Sequence, residues 1–391
     1  MKIAFFSNFL NHHQLSLCQE FLKQKDIDFV FVATERIDTE RLNMGYEDMN
    51  SLPFVMRAYE GENGERQAKF IAETYDVVIF GAAPIRFLKH RMSNDKLTFR
   101  FCERPLKKGV WRRFIPKTKK RINDTYIRYK DMQFYILGAS AFTSYDLTTC
   151  GFDKQKCLKW GYFPKLNPID VDALLKEKSK NSKTEILYAG RLIKLKRVID
   201  SLKAICLLVK QGISNFHFTI IGDGEQKKTL QAYVQKNNLN EYVSFLPFMS
   251  PDKVRRYMDK ADIYIFGSNF QEGWGAVVNE AMNSACAVIV SHAVGSSAYL
   301  VKQGVNGFIF KCGDIKDLTS KLKVLINDDE LRYDIGRKAY YTLKELWNPE
   351  TATSRLLELC KTGRVNPIDI YKEGPCSQAE IIKNNWIEGS K

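Results

Sequence analysis

The sequence predicts an α/β protein of two doubly wound, Rossmann-like domains facing a cleft, and three observations predict it. Short, continuous apolar runs alternate with segments of helical spacing, the pattern of parallel strands buried on both faces. That alternation occurs twice, on either side of a polar stretch at 166–184. The chain has 391 residues, more than one ordinary core serves, so two domains are expected. Hydrophobic residues make up 45% and aromatic residues 12% of the chain, a composition of packed domains rather than disorder.

The first domain is expected over 1–165. Lys2–Ser7 is apolar and Phe-rich and forms the opening strand. Leu15, Cys18, Phe21 and Leu22 recur at helical spacing, giving a helix over 14–24. Strands follow at 29–33 and 76–81, the latter closed by Gly81 and Pro84, with shorter ones at 97–101 and 139–144. The Lys-rich stretch 166–184 reads as a linker carrying a short helix. The second domain, 185–346, repeats the alternation, with strands at 186–190, 216–222, 243–246, 262–266 and 287–291. Residues 329–360 are helical, interrupted at Trp347-Asn348-Pro349. The remainder, 364–391, reads as an irregular tail.

Nine cysteines are scattered without a Cys-x-x-Cys pair, and an odd count fits a reducing compartment better than a disulfide framework. Five histidines without a ligand-spaced cluster argue against a zinc site. Residues 1–8 carry one positive charge and a short apolar run, which reads as a strand rather than a secretory leader. No stretch approaches the roughly 18 apolar residues of a membrane span. The expected location is therefore cytoplasmic. The net charge of +15 fits phosphorylated substrates, an anionic membrane surface or nucleic acid. Without a recognisable nucleic-acid module, nucleic acid is not an expected partner.

The candidate chemistry lies in the second half. Glu272 and Glu280 bracket a helix expected to start at Gly275, with Glu280 in its second turn. Gly273 and Gly275 keep the intervening loop free of side chains, so backbone amides, including those of Trp274 and Ala276, can approach an anion. Taken alone, such a pair also fits solvated surface charges. Gly190-Arg191-Leu192 ends a strand, with Lys196 near the start of the next helix. Ligands of doubly wound sheets bind at such strand ends, and an Arg with a Lys there suits a diphosphate. The alternative is a surface loop in a Lys-rich chain. Gly222-Asp223-Gly224 marks a further strand-to-helix turn.

In this order, the pieces resemble the donor half of family-4 glycosyltransferases of the GT-B fold, over 186–310. Gly190, Arg191 and Lys196 match its phosphate-binding pattern, Gly222 its spacer turn, Glu272 and Glu280 its signature pair, and Gly304–Gly307 its close. The resemblance implies that Arg191 and Lys196 hold a nucleotide diphosphate and stabilise it as leaving group. It also implies that Glu280 accepts hydrogen bonds from ribose hydroxyls and that Glu272 orients the donor sugar. The implied donor is a nucleotide-diphosphate sugar, UDP-linked in preference to GDP-linked, with no cofactor and no metal and with retention at the anomeric carbon. A helix within 347–363 is implied to cross back to the first domain. Arg197 departs from the family's usual glycine after the lysine.

The first half resembles that family less closely. His12 and His13 follow the opening strand and read as contacts to the acceptor or the leaving phosphate, or as helix-start residues facing solvent. Glu103 and Arg104 read as contacts to acceptor hydroxyls or phosphate, or as a structural ion pair. Between Arg104 and Lys130 basic residues crowd together with Trp111, Phe114 and Ile115, which suits an anionic membrane surface, a solvated helix face being the alternative. The reading is a retaining hexosyltransferase acting on a lipid-linked or glycan acceptor in bacterial surface polysaccharide assembly, peripheral on the inner face of the plasma membrane. A sugar-nucleotide epimerase or a phosphorylase of the same fold is the alternative, with a basic nucleic-acid-binding protein a more distant one.

Overall fold

The computed structural model describes residues 1–39, 42, 47–361 and 371–387. The chain forms two compact units: Met1–Lys165 with Trp347–Lys383, and Leu166–Leu346 with Asn384–Lys391. Each is built on one parallel sheet, so the α/β class expected from the sequence holds for both.

In the first unit seven strands run β1 (Lys2–Ser7), β2 (Asp28–Ala33), β3 (Val55–Arg57), β4 (Val77–Phe80), β5 (Thr98–Cys102), β6 (Phe134–Gly138) and β7 (Cys157–Lys159). Their spatial order is β3-β2-β1-β4-β5-β6-β7. The six strands of the second unit are β8 (Thr184–Ala189), β9 (Phe216–Ile221), β10 (Val243–Leu246), β11 (Ile263–Phe266), β12 (Ala287–Ser291) and β13 (Phe308–Phe310). Their order is β10-β9-β8-β11-β12-β13. β4, β11 and β12 are buried along their whole length, which is why they read as unbroken apolar runs. In each sheet the chain reverses its direction of travel next to the first strand, at β1/β4 and at β8/β11. Doubly wound sheets bind ligands beyond the carboxyl ends of the strands at such points.

Three expectations are corrected. The strand expected at 139–144 lies earlier, at β6. Ala139, Ser140 and Ala141 are fully buried but form the turn into a helix at Thr143–Thr148, and a buried turn of small residues carries the same apolar signature as a strand. The stretch read as a linker is packed into the second unit. Asp170 caps a helix at Val171–Lys178 by accepting from the Ala173 amide at 3.0 Å. Its last residue, Lys178, is buried and donates to the carbonyls of Ala261 at 2.6 Å and Ser284 at 2.7 Å.

The tail is not wholly irregular. The amide of Lys159 donates to Ser377 O at 2.7 Å, that of Cys376 to Lys159 O at 2.9 Å and that of Ala379 to Cys157 O at 2.9 Å. These residues lie antiparallel along β7, whose backbone would otherwise be an unpaired edge. The helix Pro349–Lys361 belongs to the first unit, and Trp347 before it stacks on Phe163 at 6.4 Å between ring centroids.

Candidate active site

Of the site residues of the second half, Arg191, Lys196 and Glu272 come together at the β8/β11 reversal. Gly190 leaves β8 at φ +152° and Gly222 leaves β9 at φ +145°. A methyl group on Gly222 would lie 2.0 Å from the Gly190 carbonyl oxygen, so the two turns meet backbone to backbone, an approach that only glycine allows. Two further bonds lock them together: Leu192 N–H donates to Asp223 O at 2.7 Å, and Gln226 N–H to Leu192 O at 2.9 Å. Arg191 is exposed on this braced loop, and its carbonyl accepts from the Tyr188 hydroxyl at 3.0 Å.

Lys196 closes a single helical turn, Lys194–Lys196, and its ammonium is ion-paired with the Glu272 carboxylate. The same ammonium lies 4.8 Å from the centre of the Phe266 ring, at the end of β11. Both loops are tied by Asn269 N–H donating to Leu195 O at 2.9 Å. Burial raises the Tyr188 pKa, Glu272 pushing in the same direction and Arg191 against it. Lys196, Glu272, Arg191 and Tyr188 thus form one electrostatic cluster. Arg197, the departure from glycine, sits at φ +51°. Glycine is favoured at such a left-handed position, and here Arg197 is held there while pairing with Asp200.

Beyond Glu272, the carbonyls of Gly273 and Trp274 accept from Gly295 N–H at 3.0 Å and Ser296 N–H at 3.1 Å. Trp274 is fully buried, its indole donating to Asn279 Oδ1 at 2.8 Å. Gly275, at φ +80°, is pressed so close to Phe266 and Val294 that a methyl group would lie within 2.9 Å of both. The helix begins at Val277, with Ala276 as its cap, and not at Gly275. Glu280 therefore stands in the first turn rather than the second. The shift arises because Gly275, at φ +80°, lies outside the right-handed helical region, so the helix opens only after Ala276, whose carbonyl accepts from Glu280 N–H at 3.2 Å.

Desolvation pushes the Glu280 carboxyl pKa up to about 7, with the Arg255 charge acting the other way. Arg255 also donates to Asn283 O at 2.7 Å and Glu280 O at 3.4 Å, so with Lys178 on Ser284 O two cations hold the carboxyl end of this short helix. Sequence reasoning missed Arg255, Lys178 and Tyr188. Tyr188 looks like core within an apolar strand, and the two cations look like the charged faces of surface helices.

In the first unit, Asn11 caps the helix His12–Leu22, its side chain accepting from His13 N–H at 3.1 Å. The rings of His12 and His13 are 3.7 Å apart between centroids, and His13 is 5.8 Å from Tyr162. Glu103 is ion-paired with Lys107 and accepts from the Tyr162 hydroxyl at 3.4 Å. Arg104 is corrected: it is buried and forms a two-pronged pair with Asp146, at 2.8 and 3.1 Å. A guanidinium spent on a buried carboxylate does not face an acceptor.

Residues 172–342 match the family model described as glycosyl transferases group 1. This segment is similar to a glycosyltransferase group 1 domain. It contains Arg191, Lys196, Glu272 and Glu280. The chain is 33% identical over 153 residues to an uncharacterized glycosyltransferase of Methanocaldococcus jannaschii, covering 38% of this chain and 40% of that protein. It is 29% identical over 181 residues to an undecaprenol-linked-glycan alpha-1,4-N-acetyl-D-galactosaminyltransferase of Campylobacter jejuni, covering 46% and 49%. The chain thus spans less than half the length of these relatives. A crystal structure of Anabaena HepE in complex with UDP superposes with a TM-score of 0.70 at 17% identity, covering 93% of this chain and all of that one. That likeness concerns the fold, and the GT-B class expected from the sequence is borne out.

Proposed function

We propose that the protein is a retaining, metal-independent glycosyltransferase that moves a hexosyl unit from a nucleotide-diphosphate sugar to a lipid-linked or glycan acceptor in bacterial surface polysaccharide assembly. The observation that carries this reading is the Lys196–Glu272 pair at the β8/β11 reversal, beside Arg191, within the segment similar to a glycosyltransferase group 1 domain. Arg191 and Lys196 neutralise the diphosphate and stabilise the charge it gains on leaving. Glu272, held by Lys196, orients the donor sugar, and Glu280 accepts hydrogen bonds from the ribose hydroxyls. A UDP-linked donor is favoured by the UDP held in the HepE structure, and a lipid-linked acceptor by the undecaprenol substrate in the Campylobacter enzyme's name. His12, His13 and Glu103 remain the acceptor-side candidates, and the basic segment 104–130 supports docking on the inner face of the plasma membrane.

A thermal-shift screen of UDP-, GDP- and ADP-sugars tests the donor. A ligand of the folded state raises Tm, and a UDP-sugar should do so in the native protein but not in Arg191→Ala or Lys196→Ala. A normal shift in both variants would sink the phosphate assignment. Conversion of donor without any acceptor would identify an epimerase instead.

A further inference from the structure

The basic segment of the first unit folds into a concave site. A short turn at Val110–Phe114 runs into the helix Pro116–Thr125, and with the turn 103–108 they border an open cavity of about 780 Å³. Its lining carries the cations Lys107, Lys108, Arg112, Lys117 and Arg121, besides Arg104, against the single carboxylate Glu103. Arg104 is satisfied by Asp146 and Lys107 by Glu103. Among the described residues, none of Lys108, Arg112, Lys117 and Arg121 is in an ion pair, and Arg121 is pinned by donating to Pro105 O at 3.1 Å. The first turn of the ten-residue helix contributes Lys117 and Thr118 to the same lining, with no acidic residue and no side-chain cap, so the positive end of its dipole adds to the field.

The rim is aromatic. Trp111 and Phe114 are 61% and 72% exposed, unusual for such large apolar side chains. Trp111 lies against the backbone of Gly109, φ +117°, where an added methyl would sit 2.6 Å from its indole nitrogen. Arg112 and Arg113 lie over the Trp111 and Phe114 rings at 5.6 and 4.7 Å.

We propose that this cavity binds the phosphate head group of a lipid while Trp111 and Phe114 insert at the membrane interface. The inference deepens the membrane-docking part of the reading above and rests on it. A free phosphate would make no use of the two exposed rings, whereas a membrane interface takes up aromatic residues flanked by cations. RNA would require cations tracking along a groove, and here they ring one concavity.

Flotation of the full chain with vesicles tests this. The vesicles are phosphatidylcholine alone, or doped to equal charge with phosphatidic acid, which presents a phosphate monoester, or with phosphatidylglycerol, which does not. Phosphatidic acid vesicles should bind most tightly, inorganic pyrophosphate should compete, and Arg112→Gln and Lys117→Gln should each weaken binding about fivefold. Trp111→Ala with Phe114→Ala should weaken it without altering the thermal shift given by a nucleotide sugar. Equal binding to neutral vesicles, undiminished binding by the Arg112→Gln/Lys117→Gln double variant, or preference for RNA over vesicles would each overturn the proposal. The nucleotide-sugar shift reports on the second unit, so a failure of the donor reading would appear there and leave the vesicle result standing.

Discussion

Lys196 and Glu272 lie 76 residues apart in sequence, yet they form an ion pair in which the side chains are only 13% and 14% exposed. Shielded from water, each fixes the other's position and each is poised to exchange its partner for a ligand. The two partners are therefore expected to fail differently. Lys196→Ala should remove nucleoside diphosphate binding by about ten- to a hundredfold, the worth of a charged hydrogen bond. Glu272→Gln should keep the nucleoside diphosphate and lose the added affinity of the sugar-bearing donor. Calorimetric titration with UDP and with a UDP-sugar reads both, and equal losses for both ligands in Glu272→Gln would remove the sugar-orienting role.

Glu280 gives the site a pH dependence. Its folded pKa is raised to about 7, so between the unfolded value and that pH the folded state holds the extra proton. Stability contributed by this group is present at low pH and is lost as pH rises through about 7. The ionised form is the better acceptor for ribose hydroxyls. Donor affinity should accordingly rise several-fold from about pH 6 to about pH 8, measured with a nucleotide-diphosphate sugar, whose diphosphate does not titrate there. Glu280→Gln should flatten both profiles, and an unchanged affinity profile in that variant would assign the titration elsewhere.

Gly222→Ala brings a methyl group 2.0 Å from Gly190 O at a φ of +145°. The turns must part, lowering Tm by roughly 4–8 °C and releasing the loop that carries Arg191. Loss of the nucleotide-induced shift should accompany the lower Tm. A destabilised variant with an intact shift would mean that the two turns are a structural joint only.

Much of this site was legible because it is local. Gly190, Gly222 and Gly275 mark turns whose geometry only glycine tolerates, and the Glu272–Glu280 spacing spans one loop and one helical turn. Apolar runs announced the long strands, while the three-residue strands β3, β7 and β13 are too short to carry a period. What stayed hidden is long-range pairing. Nothing near Lys178 indicates that its ammonium turns inward to two helix ends, and nothing near Glu103-Arg104 indicates a carboxylate 42 residues on.

That buried pair leads to a different expectation on the acceptor side. Arg104 and Asp146 are 1% and 0% exposed at their side chains, so removing either leaves an uncompensated charge. Arg104→Ala should destabilise the protein by about 3–5 kcal/mol, read by denaturant unfolding. The acceptor KM of the folded fraction should stay unchanged. A raised KM with native stability would restore Arg104 to the acceptor site.

The first unit is assembled from two separate stretches, 1–165 and 347–383, and this sets an order in time. Lys159, the last residue of β7, and Glu380, next to the segment that covers it, are ion-paired across 221 residues. At about 5–20 residues per second of synthesis, the edge of β7 waits roughly 10–45 s for its cover. Residues 166–346 emerge during that interval, so most of the second unit is made before the first unit's edge is covered. A newborn chain presents a bare sheet edge on the first unit while the second unit's sheet has already emerged, and it is in that window that the protein most needs protection from its neighbours.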